Sequence, residues 1–105
     1  MKAAILRSTG KISLEEIPTP TISSDEVLVK VRACGICGSD VQYLQGINPW
    51  SLHTLGEDEP TPQNVILGHE IAGEIVDANQ TSRSRIGEHV AINTDKPCQR
   101  CHFCN

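Results

Sequence analysis

Apolar residues alternate with polar ones along most of this chain, and the clearest stretch is Glu26–Ala33. Val27, Val29, Val31 and Ala33 fall on one face there, and Leu28, Lys30 and Arg32 on the other. A period of two with one apolar face predicts a half-buried strand. Ala3–Arg7 and Lys11–Ile17 read as shorter strands joined by a turn at Ser8-Thr9-Gly10. Pro18, Pro20 and Ser23-Ser24-Asp25 make the connection into the Val-rich strand. Val65–Leu67, Ile71–Ala78 and Glu88–Asn93 are further strands. Gly38–Gly46 is the one helix expected in the first half, short and ended by Gly46. Residues 46–63 hold Pro49, Pro60, Pro62 and the acidic run Glu57-Asp58-Glu59. They predict a long surface loop of the kind that serves as a binding loop or lid. Asn79–Arg85 is a polar connection, and Pro97–Asn105 is a Cys-rich lobe. Without repeats or low-complexity tracts, the pattern gives a mainly β fold, a small or partly open barrel. Its expected core is Val27, Val29, Val31, Ile71 and Ile75.

Composition narrows this picture. At 105 residues the chain is one domain of modest core volume, and with 3% aromatic residues the core must be aliphatic. The net charge of −4 contains no block of like charge, so neither nucleic acid nor an anionic membrane is an expected partner. Arg7 cuts short the apolar run after Met1, which is too brief for a secretory signal. No segment has the length of a membrane span. The expected setting is soluble and cytoplasmic.

Five cysteines stand at 34, 37, 98, 101 and 104. Without a secretory signal, such tight spacing points to metal binding or redox chemistry rather than a disulfide framework. Cys34-Gly35-Ile36-Cys37 between a strand and a short helix is also the setting of a thiol–disulfide exchange site. Against that stand the absence of a βαβ pattern and the downstream Gly68-His69-Glu70. Cys34 alone reads as a small core hydrophobe. Cys37 and His69 are a thiolate and an imidazole of the kind zinc takes together, and a catalytic zinc uses three protein ligands and leaves a position open. Asp40 suits the far N–H of a metal-bound His69, and equally the N-terminus of the short helix. His53 reads as a loop residue and His89 as a strand-surface residue. His102 is a lesser candidate ligand within the lobe. Cys98-x2-Cys101-x2-Cys104 wraps one metal centre, either a structural zinc awaiting a fourth thiolate or an iron–sulfur cluster. A ribbon-like zinc site joining Cys34 and Cys37 to Cys98 and Cys101 is disfavoured by the long intervening stretch.

These residues, in this order, resemble the zinc-dependent medium-chain alcohol and polyol dehydrogenases. The likeness runs through Met1-Lys2-Ala3-Ala4, Asp25-Glu26-Val27-Leu28-Val29-Lys30-Val31 and Cys34-Gly35-Ile36-Cys37-Gly38-Ser39-Asp40. It continues through Ile66-Leu67-Gly68-His69-Glu70, Ala72-Gly73-Glu74, Gly87-Glu88-His89-Val90-Ala91 and the Cys lobe. The resemblance implies the GroES-like, partly open barrel of an N-terminal catalytic domain, with a short helix and a Cys-rich zinc lobe. It implies that residues 1–105 are that domain, incomplete at its C-terminus and without a dinucleotide-binding domain. Cys37 and His69 would be catalytic zinc ligands, and Glu70 an adjacent carboxylate that ligates zinc in polyol-type relatives. Ser39 would take the substrate proton, with Asp40 the partner of His69. Cys98, Cys101 and Cys104 would be three of four structural zinc ligands. Zinc at both sites and NAD or NADP are the implied cofactors of the complete enzyme. A small-molecule alcohol or polyol is the implied substrate, and a homo-oligomer the implied assembly. The activity implied is zinc-assisted hydride transfer, oxidising an alcohol to a ketone or aldehyde, in a fragment inactive alone. A non-catalytic zinc-binding module and a CxxC thiol redox protein are the other functional classes open to these residues. Gly38, where many alcohol dehydrogenases carry a basic residue, and Gln42, where a histidine often ends the proton relay, depart from the pattern.

Overall fold

The computed structural model describes residues 1–51, 56–57, 59–95, 97–102 and 104. His53 and Phe103 lie outside the described residues. Among the described residues the elements in chain order are β1 Lys2–Ser8, β2 Lys11–Glu16, β3 Val27–Gly35, α1 Gly38–Leu44, β4 Val65–Ile66, β5 Glu70–Ala78 and β6 His89–Ala91. A 3-10 turn covers Arg83–Arg85. The strands form two three-stranded sheets, ordered β2-β1-β4 and β3-β5-β6, and every pairing is antiparallel. The strands follow from the alternation, with ends shifted by a few residues; the last one shortens from Glu88–Asn93 to His89–Ala91. No helix among the described residues is long and apolar enough to cross a membrane.

The tight turn at Thr9-Gly10 closes β1 onto β2. Across β1, Ile5 and Leu6 pair with Ile66 and Val65 of β4, which fixes the chain just before it reaches Gly68 and His69. The longer β3–β5 ladder runs from Val27 opposite Ala78 to Gly35 opposite Glu70. That final pair decides where chemistry can occur. Residues following Gly35 and residues preceding Glu70 leave the sheet at the same end, so Cys37 and His69 meet there although 32 positions separate their numbers.

Among the described residues the buried apolar side chains are Ala3, Ile5 and Leu6 of β1 and Ile75 of β5. Ile75 meets the core expectation, whereas Val27, Val29 and Ile71 are half-buried. Val31 departs from it, being 53% exposed. The physical reason lies in the ladder, whose register shifts between Leu28 and Val29 and again between Val31 and Ala33. Those shifts put the extra residues at Val76 and Arg32, and the regular stretch between them pairs Val31 with Gly73, which has no side chain to cover it. Leu28, expected opposite the valines, is half-buried with them. Cys34 is exposed rather than part of the core. The molecule is flat, 44 × 39 × 20 Å with a radius of gyration of 16.1 Å, against about 13 Å for a compact domain of this length. Accordingly, Leu14, Ile36 and Trp50 present large apolar groups to solvent.

Helix α1 ends as its sequence dictates. Gly46 takes φ +86°, its N–H donates to the Tyr43 carbonyl (3.1 Å), and the Ile47 N–H donates to the Gln42 carbonyl (2.9 Å). This is the two-bond helix stop that favours glycine in the left-handed position. The Gly10 N–H also donates to the Leu44 carbonyl at 2.7 Å, tying the helix end to the β1–β2 turn. A Cβ at residue 46 would lie 2.9 Å from Thr9 Oγ1. Gly46→Ala therefore combines a disfavoured φ with a collision, and we expect it to destabilise the domain by about 1–3 kcal/mol. Denaturant unfolding checks this, and a midpoint equal to wild type would contradict it. Beyond α1, Asn48 Nδ2 donates to the Pro60 carbonyl (3.3 Å) and Asn48 Oδ1 accepts from the Trp50 N–H (3.2 Å).

Candidate metal centres

The first centre forms where β3, α1 and β5 converge. Cys37 is the N-cap of α1. Its carbonyl accepts from the Asp40 N–H (3.1 Å), and its own N–H donates to Asp40 Oδ2 (2.9 Å). The helix start thus holds Cys37 through its backbone and through a capping box, in which the Cys37 side chain faces the Asp40 N–H. Asp40 serves twice: while Oδ2 caps the helix, Oδ1 faces His69 Nδ1 at 3.8 Å. The helix-start expectation for Asp40 describes it directly, and its second oxygen stands near the imidazole without a hydrogen bond to it.

Donor atoms of Cys37, His69 and Glu70 all lie within 4.8 Å of one another. Metal–ligand bonds of 2.0–2.3 Å would set tetrahedral donors about 3.3–3.8 Å apart, so a small inward adjustment seats zinc. One soft sulfur, one imidazole and one carboxylate suit that ion. Cys37 is half-buried while His69 and Glu70 are exposed, so the open side of the cluster faces solvent. The Ser39 hydroxyl and backbone N–H, followed by His69, hold the Cys37 thiol below its ordinary value of 9.0 against the opposing effects of partial desolvation and Glu70. The same contact raises His69 above 6.5, with Asp40 and Glu70 adding to it. Thiolate character at Cys37 is what a metal ligand requires.

The second centre is the lobe. Cys98 Sγ lies 3.6 Å from Cys104 Sγ, and Cys101 Sγ lies 3.4 Å from it. Those separations approach the edge of about 3.8 Å expected for a tetrahedron of 2.3 Å Zn–S bonds. Backbone N–H groups of Arg100 and Cys101, with the neighbouring thiols, bring Cys98 down to about 7. His102 is exposed and stands outside this donor group. His89 lies exposed on β6, opposite Glu74 of β5.

Cys34, the other half of the CxxC, faces elsewhere. Its Sγ lies 3.5 Å from the Gly35 carbonyl and occupies the notch left by Gly68, where a Cβ would come within 2.6 Å of the sulfur. The two thiols of the CxxC have different neighbours. The candidate donors that the structure brings together, Cys37, His69 and Glu70 and Cys98, Cys101 and Cys104, are ones the sequence singled out, whereas the packing behind them, chiefly Gly35 beneath Glu70, was not. Its signal, a glycine at the end of a strand, has meaning only once the strand register is known.

Comparison with known proteins gives the family. Residues 23–105 match the family model of the alcohol dehydrogenase GroES-like domain. The sorbitol dehydrogenase of Bombyx mori is 39% identical over 97% of this chain, and that of Bacillus subtilis 39% over 99%. The chain spans 28% of the length of each. The structure of acetophenone reductase from Geotrichum candidum in complex with NAD superposes with a TM-score of 0.73. It is 31% identical and covers 98% of this chain and 28% of its own. The chain therefore belongs to the alcohol dehydrogenase GroES-like domain family, as a zinc-type medium-chain dehydrogenase N-terminal segment.

Proposed function

We propose that this chain is the metal-holding catalytic domain of a nicotinamide-dependent alcohol or polyol dehydrogenase. The observation that carries the reading is the meeting of Cys37, His69 and Glu70 at the β3–β5 end. In the complete polypeptide a dinucleotide-binding domain would follow residue 105, and the assembly would be a homo-oligomer. Sorbitol dehydrogenases among the relatives favour a small polyol or secondary alcohol as substrate.

Cys37, His69 and Glu70 would hold the catalytic zinc, with His69 Nδ1 turned to Asp40 and Nε2 left for the metal. A zinc ion there supplies Lewis-acid polarisation that makes a hydroxyl easier to deprotonate near neutral pH. Ser39, beside Cys37 at the start of α1, takes the released proton through its hydroxyl and passes it toward solvent. Asp40, with Oδ1 3.8 Å from Nδ1, would orient His69 by drawing its Nδ1 side toward the carboxylate. The oxidation removes one proton and one hydride from the alcohol, and NAD or NADP receives the hydride. Cys98, Cys101 and Cys104 would hold the structural zinc, with a fourth thiolate from further sequence.

Metal content tests the assignment. The 105-residue chain alone should hold zinc weakly and below two equivalents, with uptake rising as pH rises, because thiolates must shed protons to bind. It should also show no alcohol-dependent reduction of NAD or NADP. Elemental analysis after chelation and gel filtration would refute this by finding two tightly held zinc ions per chain or an iron–sulfur spectrum.

A further inference from the structure

Gly35 and Glu70 are register partners at the last rung of the β3–β5 ladder. The Glu70 side chain folds back over the Gly35 α-carbon. A Cβ built on residue 35 would stand 2.2 Å from Glu70 Oε2, 3.0 Å from its Cβ and 3.3 Å from its Cδ. Gly35 does not occupy the left-handed region of φ, unlike Gly68 at +105°. Its backbone therefore suits any residue, and what the position demands is room. Ordinary heavy-atom contacts fall at about 3.5–4.0 Å, so an added methyl must push Oε2 away by more than about 1 Å. That exceeds the tolerance of about 0.5 Å within which a functional constellation has to be held.

We propose that Gly35 is the positioning residue that makes Glu70 the third protein donor of the Cys37–His69 centre. The inference rests on the zinc reading given above and adds the reason why the carboxylate stays within reach of the other two donors. The empty face of Gly35 is the seat of the Glu70 carboxylate. Filling it sends the carboxylate outward to solvent, which is free to it because Glu70 is exposed. The neighbouring step has the same construction, with Cys34 Sγ seated against Gly68 directly behind His69. Two adjacent residues of β3 thus meet the Gly68–Glu70 segment through contacts that side chains at 35 and 68 would close.

The test uses Gly35→Ala, Glu70→Ala and the double variant in the full chain, with the Cys98 lobe left zinc-loaded. Competition titration should find zinc affinity at the Cys37 centre about 10–100-fold lower in Gly35→Ala, the range for losing a group that orients a metal site. The visible spectrum of the cobalt-substituted centre should shift toward that of Glu70→Ala. On the Glu70→Ala background, Gly35→Ala should change affinity less than about twofold, because the group it displaces is gone. Wild-type affinity in Gly35→Ala, or an equal loss on both backgrounds, would overturn the positioning role while leaving the ligand assignment intact. Wild-type affinity in Glu70→Ala would instead overturn the assignment and the inference with it. Should Gly35→Ala fail to fold, the double variant should recover the melting temperature of Glu70→Ala, and continued unfolding there would overturn the proposal.

Discussion

Cys37→Ser in the full chain should lower kcat/KM by about three orders of magnitude or more while leaving the fold and one zinc per chain. Replacing the thiolate by a hydroxyl removes the soft, anionic member of the Cys37, His69 and Glu70 group. Lewis-acid stabilisation is worth several kcal/mol, and each 1.36 kcal/mol is tenfold in rate. The fold should persist because α1 begins on backbone bonds of Cys37 and on the Asp40 carboxylate, and serine is itself a good residue at the capping position that Cys37 holds. The core of Ala3, Ile5, Leu6 and Ile75 does not include Cys37. Ser39→Ala should behave differently, keeping both zinc ions and losing about 10²–10⁴-fold in rate, as removal of a positioned proton-transfer group does. Steady-state kinetics with zinc analysis on the same preparations separates the two. Wild-type turnover in Cys37→Ser would remove the catalytic assignment and leave a structural zinc module.

Cys101→Ser should produce the opposite division. Among the described residues of the lobe, Cys98, Arg100, Cys101 and His102 are exposed and only Cys104 is half-buried, so apolar burial contributes little to its shape. What gathers it is the set of thiols, with Cys101 Sγ 3.4 Å from Cys104 Sγ, and a backbone bond from the Cys104 N–H to the Cys101 carbonyl. Structural zinc binding is worth about 10–16 kcal/mol in small zinc-binding peptides, and a missing thiolate forfeits a large part of it. We expect one zinc lost per chain and a melting temperature lower by on the order of 10 °C. Activity measured well below that temperature should fall far less than in Cys37→Ser. Calorimetry and zinc analysis decide it. An unchanged melting temperature with two zinc ions retained would contradict the lobe's role.

The candidate donors were legible in the sequence because metal chemistry restricts which residues serve and how closely they stand. Cys98, Cys101 and Cys104 announce themselves by spacing alone, and Gly68-His69-Glu70 gains meaning from Cys37. The strands were legible for the same kind of reason, since Val27, Val29 and Val31 carry the period of two. What escaped was the consequence of pairing. Val31 is exposed where its register partner is Gly73, which has no side chain to cover it, and nothing in residues 27–33 alone names that partner. Cys34 looked like a core residue by its place at the end of a strand, yet it is exposed and packs against Gly68. Its neighbour lies more than thirty positions away and is chosen by register. The buried centre fell on β1 rather than β3 because Leu6, between β2 and β4, is covered on both sides of its strand.

Anomalous diffraction at the zinc edge from crystals of the full protein tests the central claim most directly. The account predicts two peaks per chain. One should lie about 2.3 Å from Cys37 Sγ and about 2.0–2.1 Å from a His69 ring nitrogen, with a Glu70 oxygen at about 2.0–2.2 Å. The other should lie among Cys98, Cys101 and Cys104. A Cys34–Cys37 disulfide with no metal at His69 would contradict it, as would a single peak confined to the lobe.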